Sequence, residues 1–421
     1  MKLFLLATFC LSMSIAMAQR TCVSQQYYEQ ELRTDPELAK KLAAIEKAIQ
    51  QSKETTTTGT SGSTAGMQVI TIPVVVHVLY NSPALNLTDA QIQSQIEVLN
   101  RDFRKLNTDT INTPLVFKSR AADCFIEFKL AKVDPRGRAT SGIVRKSTSI
   151  QFFGLDDRIK SSAIGGDDTW DPDRYMNIWV GSLAGSLLGY ASVVGGPKEK
   201  DGVVISYRAF GTSGTASYPY DKGRTATHEV GHWLGLRHIW GDQYCGNDYV
   251  DDTPPQQTST YGCPQGVVSS CGNTSTGNMY MNYMDLTYDA CINLFTLGQR
   301  EKMRDLFVTG GPRNALLRSD ACTATPTAAP EETGLPEEQG TGDVIRMYPV
   351  PAATNVNISV NNAYNLSGKY VTLYNRLGQP VAKTLITKGV TVLNVQSLPE
   401  GLYFARVEGQ QKTYRVLKVS E

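Results

Sequence analysis

No surplus of either charge marks this 421-residue chain: 41 Lys and Arg stand against 40 Asp and Glu, with no basic block. Proteins hold a phosphate backbone through clustered cations, so nucleic acid is excluded as a partner class. Nucleotide binding lacks its loop as well, because Gly211-Thr212-Ser213-Gly214 carries neither the lysine nor the following hydroxyl residue of a phosphate cradle. Long apolar runs are also missing. The most extended, Leu3 to Met17 after Lys2, falls short of the roughly 20 residues needed to span a bilayer. Its Ala16-Met17-Ala18 end reads instead as signal-peptide cleavage before Gln19. Residues 1–18 would then be a signal, and the mature protein secreted, extracellular or cell-surface attached, without a transmembrane anchor.

Histidine is scarce, and its placement is informative. Three of the four in the chain fall within His228-Glu229-Val230-Gly231-His232-Trp233-Leu234-Gly235-Leu236-Arg237-His238. Residues four apart on a helix share a face, and neutral imidazoles favour zinc, so His228 and His232 can grip one ion from consecutive turns. Glu229 between them can orient and deprotonate a water. A left-handed turn at Gly235, which has no Cβ, would end the helix and carry His238 to the same ion. Three protein ligands leave one position open, and an open position separates a catalytic zinc from a structural one. The remaining histidine, His77, sits in Val74-Val75-Val76-His77-Val78-Leu79-Tyr80 and is expected to be a satisfied core residue of a strand.

Eight cysteines become seven once Cys10 leaves with the signal. An odd number outside the cytosol leaves at least one without an intramolecular partner. Cys22, near the mature N-terminus, is the natural candidate, and its thiolate could fill the open zinc position and exclude water. A charged helix from about Asp35 to Gln51 follows, then Thr55 to Gly66, whose Thr/Ser/Gly composition cannot build a core. Residues 19–66 therefore read as an inhibitory prosegment and linker, opened by cleavage in or near the linker, with Lys53 a trypsin-like site. Further along, Cys245, Cys263, Cys271 and Cys291 allow three pairings, and a bond between Cys124 and Cys322 is left open. Asp248, Asp251, Asp252 and Thr253 concentrate hard oxygen ligands of the kind calcium takes. Strands are expected at Val69 to Tyr80, Cys124 to Leu130, Met176 to Val180 and Val203 to Tyr207, with a helix from Asp89 to Leu106 capped by Thr88.

The extended histidine motif resembles that of the metzincin zinc metalloproteases. Met281-Asn282-Tyr283-Met284-Asp285, Asp289-Ala290-Cys291 and Phe295-Thr296-Leu297-Gly298-Gln299 resemble the pappalysin family within them, the cytophagalysin group. The resemblance implies an α+β catalytic domain over residues 67–322, with a twisted mixed sheet above and an irregular lower subdomain holding the third histidine. It implies a Met-turn with Met284 beneath the imidazoles, and Leu188-Gly189-Tyr190-Ala191 as the edge strand along which an extended peptide substrate lies. Disulfides Cys245–Cys271 and Cys263–Cys291, calcium contacts at Asp248 and Thr253, and a cysteine switch at Cys22 follow from the same resemblance. So does Asp289 as the base of the pocket for the residue after the scissile bond, where a carboxylate suits arginine first and lysine second. Leu286 departs from the pattern, standing where the family usually places a tyrosine that donates to the tetrahedral intermediate. Tyr288 is nearby. One missing oxyanion donor costs about 3 kcal/mol, so lower turnover is expected.

After Cys322 the chain turns to Thr, Ala, Pro, Glu and Gly through residues 323–343, a linker. Residues 344–421 carry short β-forming runs at Val356–Val360, Tyr370–Tyr374 and Tyr403–Val407, punctuated by Gly378 and Gly401, as in a small C-terminal β-sandwich. Tyr348-Pro349-Val350-Pro351, Leu377-Gly378-Gln379, Leu398-Pro399-Glu400-Gly401-Leu402-Tyr403 and Lys418-Val419 resemble the sorting domains that direct Bacteroidetes proteins through the type IX secretion machinery. The alternative for this module is a carbohydrate- or protein-binding accessory domain, for which no aromatic platform stands out. The expected activity is zinc-dependent endoproteolysis of protein or peptide substrates from a latent zymogen. An inactive metalloprotease fold used for binding, and hydrolysis of a non-peptide amide, are the competing readings.

Overall fold

A computed structural model describes residues 21–56, 67–327, 345–348, 352–360, 366, 368–387, 390–410 and 413–420. The expected signal peptide, most of the Thr/Ser/Gly linker, the linker beyond Thr327, and Pro349, Val350 and Pro351 lie outside the described residues. Contacts divide the chain into two units at Pro330/Glu331, inside the expected second linker.

The N-terminal segment begins with β1 (Thr21–Cys22), continues through α1 (Ser24–Thr34) and ends in α2 (Leu38–Thr56). A single helix from Asp35 was expected here. The chain instead makes two helices broken at Asp35-Pro36, where proline disfavours helical backbone in the residue before it and the Asp35 carboxylate accepts from the Glu37 amide at 3.0 Å. Sequence periodicity missed α1 because its buried face is Ser24, Tyr27 and Glu31 rather than aliphatic.

The body of the first unit is built on β2 (Ile70–Tyr80), an 11-residue strand buried along nearly its whole length. Such two-sided burial belongs to a central parallel strand. After α3 (Asp89–Phe103), the single turn α4 (Leu115–Lys118), β3 (Ile126–Leu130) and β4 (Ile143–Ser147) come β5 (Met176–Gly181), β6 (Leu187–Ala191) and β7 (Val203–Ser206). The sheet order is β1-β6-β7-β5-β2-β3, with β4 also pairing β2. The β6–β7 pair is antiparallel and every other pair is parallel, so the sheet is mixed. Two helices lie on one face: α3, capped by Thr88 through the Gln91 amide at 3.2 Å, and α5 (Arg224–Trp233). Ile92, Ile96, Leu99 and Phe103 of α3 share a core with Ala226, Val230 and Trp233 of α5 and with alternate residues of β2. The N-terminal segment covers part of the other face. Tyr27 and Leu38 pack there with Leu79, Trp179, Leu183, Tyr190 and Val204. Beyond α5 the chain is irregular until α6 (Leu297–Asp305), which opens with a capping box between Thr296 and Gln299.

The second unit has two antiparallel sheets: β11 (Pro380–Leu385), β10 (Tyr370–Tyr374), β13 (Gly401–Val407) and β14 (Thr413–Lys418) in one, β12 (Val390–Asn394), β9 (Asn355–Val360) and β8 (Ile345–Tyr348) in the other. Val356, Ile358 and Leu393 from one sheet meet Val371, Leu373, Ala405 and Val407 from the other in one core, forming a β-sandwich. Tyr403, buried in the same core, donates its hydroxyl to the Pro399 carbonyl at 2.8 Å.

Candidate active site

Helix α5 delivers two imidazoles from one face. The helix ends at Leu234, Gly235 takes φ +82°, and the chain doubles back with the Leu236 amide donating to the Gly231 carbonyl at 3.0 Å. His238 thereby arrives beside the pair: His232 Nε2 lies 3.1 Å from His228 Nε2 and 3.2 Å from His238 Nε2. Nitrogens about 2.0 Å from a tetrahedral zinc stand about 3.3 Å apart, so the spacing fits that ion. Each Nδ1 is committed elsewhere. His228 donates to the Tyr283 carbonyl at 2.7 Å, His232 to the Leu236 carbonyl at 2.9 Å, and His238 to the Asp242 carboxylate. Those donors fix the tautomer and leave every Nε2 lone pair facing inward. His238 also stacks on Trp240 with ring centroids 4.2 Å apart. Beneath lies Met284. A Cβ on Gly231 would come 2.5 Å from its sulfur, so glycine at that helix position is what admits the methionine.

A fourth donor comes from the N-terminal segment. Cys22 Sγ is 3.5 Å from His232 Nε2, and the four donor atoms of Cys22, His228, His232 and His238 all lie within 4.8 Å of one another. β1 brings it there by pairing Cys22 with Gly189 of β6 in parallel register. Gly189 has its own reason to be glycine, since a Cβ would meet Glu229 Cγ at 2.8 Å. Glu229 Oε2 in turn accepts from Ser24 Oγ at 2.8 Å, and Ser24 Oγ accepts from the Ala191 amide at 3.0 Å.

Family comparisons agree with this geometry. Residues 159–308 match the model described as Pregnancy-associated plasma protein-A, of the M43 peptidases, and residues 346–419 match the secretion system C-terminal sorting domain. An extracellular metalloprotease of Arthroderma gypseum is 30% identical over 321 residues, covering 73% of this chain and 89% of that protein. The chain belongs to the pappalysin-like M43 metalloproteases. Among solved structures, mature mirolysin of Tannerella forsythia in complex with a cleaved peptide is 53% identical, with TM-score 0.59 over 60% of this chain and 97% of that one. A promirolysin mutant of the same organism is 49% identical, with TM-score 0.64 over 71% and 97%. This family member is therefore a secreted zinc metalloendopeptidase related to a family zymogen, carrying a type IX sorting domain. No helix among its described residues is long and apolar enough to cross a membrane.

Asp289 is fully buried at the start of α5, where its Oδ2 accepts from the amides of Lys222 at 3.0 Å and Arg224 at 3.1 Å. The Arg224 guanidinium ties the same corner together by donating to the carbonyls of Asp289 at 2.8 Å and Ile292 at 2.5 Å and to the Asp109 carboxylate. Tyr288 packs edge-on against Tyr218 and Tyr220, ring centroids 6.0 and 5.8 Å away, while Leu286 is buried.

The loop between His238 and Met284 is closed by disulfides Cys245–Cys271 and Cys263–Cys291. Cys124 and Cys322 are not bonded to each other; Cys124 is buried, which pushes its thiol up, and Cys322 is half-buried. Thr253 Oγ1 lies 2.9 Å from Asp248 Oδ2 and 2.7 Å from the Val250 carbonyl, and burial pushes the Asp248 carboxyl up to about 6. Asp252 has another duty, accepting from Thr296 Oγ1 at 2.6 Å and the Gly298 amide at 3.0 Å at the start of α6. His77 is a core histidine held between Asp167 at 2.7 Å and Asn177 at 3.1 Å and stacked on Trp179. Sequence reasoning missed Ser24 and Asp242. Asp242 stands four residues after His238, a spacing that a search for the ligand's own carboxylate partner would have caught.

Proposed function

We propose that His228, His232 and His238 hold the catalytic zinc and that Glu229 is the general base of peptide-bond hydrolysis. The observation that carries this is the trio of inward-facing Nε2 atoms with Glu229 beside them under the edge strand. When bound, zinc supplies Lewis acidity for a peptide carbonyl and lowers the pKa of water. Glu229 takes a proton from water as its oxygen bonds to the carbonyl carbon, then gives that proton to the departing amine as the C–N bond breaks. Strand β6 aligns the substrate through backbone hydrogen bonds once β1 has left it. Casein digestion tests the reading: wild type activated by clipping should cut casein in a zinc-dependent way, and Glu229→Ala should not. Undiminished cleavage by the mutant would sink it.

Residues 19–66 act as the inhibitory prosegment and linker of this catalytic unit at 67–322, with Cys22 the zinc ligand of the latent form. Support comes from Cys22 completing the donor cluster at a distance close to the roughly 3.5 Å expected between nitrogen and sulfur on one zinc. Residues 1–18 are its signal peptide, 323–343 the linker and 344–421 the sorting domain. Arginine, then lysine, is preferred immediately after the scissile bond through the Asp289 carboxylate, whose burial beside the start of α5 leaves a charged partner much stronger than it would be in water. Asp248 and Thr253 hold calcium. Their fit rests on a buried carboxylate, a hydroxyl and the Val250 carbonyl converging at one loop, with the remaining oxygens of a six- to eight-fold shell left to carbonyls and water.

A further inference from the structure

Tyr27 is 1% exposed, in a segment that the zymogen reading requires to leave. Its hydroxyl donates to Asp157 Oδ2 at 2.6 Å, its ring centroid lies 5.1 Å from that of Tyr190, and Lys160 Nζ stands 5.1 Å from the ring. The three groups that meet its hydroxyl and ring, Asp157, Lys160 and Tyr190, remain after cleavage, and they brace one another without Tyr27. Lys160 Nζ is 2.9 Å from Asp157 Oδ1 and donates to the Lys200 carbonyl at 2.9 Å. Tyr190 donates to Asp157 Oδ1 at 3.2 Å, and Lys160 also lies over the Trp179 and Tyr190 rings. The slot is thus preorganised, with one carboxylate oxygen aimed at an incoming hydroxyl and an ammonium placed for a π face. It adjoins the cleft, because Tyr190 lies between Gly189, which pairs with Cys22, and Ala191, which donates to Ser24.

We infer that this slot is a tyrosine-binding exosite of the catalytic unit and that the excised N-terminal segment is its ligand, so that clipping yields a bound inhibitor rather than an immediately free enzyme. This rests on the protease reading above. Phenylalanine fills the same space but takes the hydroxyl away from Asp157 Oδ2, leaving that oxygen only the longer contact with Lys200 Nζ at 3.3 Å, which should weaken retention about ten- to a hundredfold.

The test uses the full chain with a cleavage site for a highly selective protease inserted between residues 60 and 61, cut to completion. Two readouts keep the readings apart. In Glu229→Ala protein, which needs no activity, the cut segment should co-elute with the catalytic unit in size exclusion, and Tyr27→Phe should release it at about ten- to a hundredfold higher protein concentration. In active protein, casein cleavage should rise on dilution, and Tyr27→Phe should reach full activity at correspondingly higher concentration. Unclipped Tyr27→Phe melting like wild type would show that packing is intact. Immediate loss of the segment from cut wild type, or identical release curves for wild type and Tyr27→Phe, would overturn the exosite; absence of casein cleavage at every dilution would instead count against the protease reading.

Discussion

Ser24 and Glu229 share a 2.8 Å hydrogen bond across the cleft, two residues from the cysteine that completes the metal cluster. The N-terminal segment thus touches both halves of the chemistry, the metal donors through sulfur and the general base through a hydroxyl. The same Ser24 oxygen takes the Ala191 amide, a group of the edge strand on which substrate would lie.

Two contacts should therefore be separable in latency. Unclipped Cys22→Ala should leak casein-cleaving activity, Ser24→Ala should leak less, and the double variant should leak most, measured against enzyme clipped and then diluted until its segment has dissociated. A hydrogen bond to a charged group is worth about 1.5–3 kcal/mol, so Ser24→Ala should shift the latent equilibrium by about tenfold or more. Equal activity of the intact wild type, the intact variants and the clipped enzyme would rule out both contacts as latches.

Cleavage-site mapping with a peptide library should place arginine first and lysine second immediately after the cut. Asp289→Ala should erase much of that preference while hydrolysis persists, although loss of the two amide contacts at the start of α5 should also lower the melting temperature. A wild-type profile dominated by apolar residues at that position would defeat the assignment.

Calcium titration into chelated protein, with zinc left in place, should raise the melting temperature and the activity, since occupancy of a folded-state site stabilises by mass action. Asp248→Asn should abolish the response. An unchanged melting curve across the titration would reject the site.

Asp285 offers a pH test away from the metal donors. Burial raises its carboxyl to about 6, despite hydrogen bonds from the Thr260 amide and Gln256 at 2.7 Å each and from the Leu286 amide at 2.8 Å. The folded state then holds the proton more tightly than the unfolded chain does. Its contribution is fully present below about pH 4 and is lost as pH rises through about 6, on the order of 3 kcal/mol in all. Urea unfolding between pH 4 and 7 should show Asp285→Asn with a flatter profile than the wild type; parallel profiles would contradict the shift.

Much of the site was legible in sequence because its geometry is local. The spacing of His228, Glu229 and His232 needs only a helix, and His238 needs only the left-handed turn at Gly235, which the chain adopts. Core strands such as Ile70–Tyr80 were legible for a similar reason, since a continuous β-branched run suits a pleated, two-sided interior. By contrast, α1 was unreadable, because Ser24, Tyr27 and Glu31 gain their burial from partners far along the chain.

Sequence by itself determined which donors could meet one ion, since helix period and a single glycine turn fix those positions within a dozen residues. Tertiary structure alone decided what stands opposite them. Cys22 and Ser24 meet Glu229 more than 200 residues away, Tyr27 meets Asp157 across 130, and Asp289 meets the start of α5 across 65. No local periodicity encodes such pairings. They exist because strand β1 adds to β6 and the irregular lower chain folds back under α5, where burial favours the pairing of polar groups.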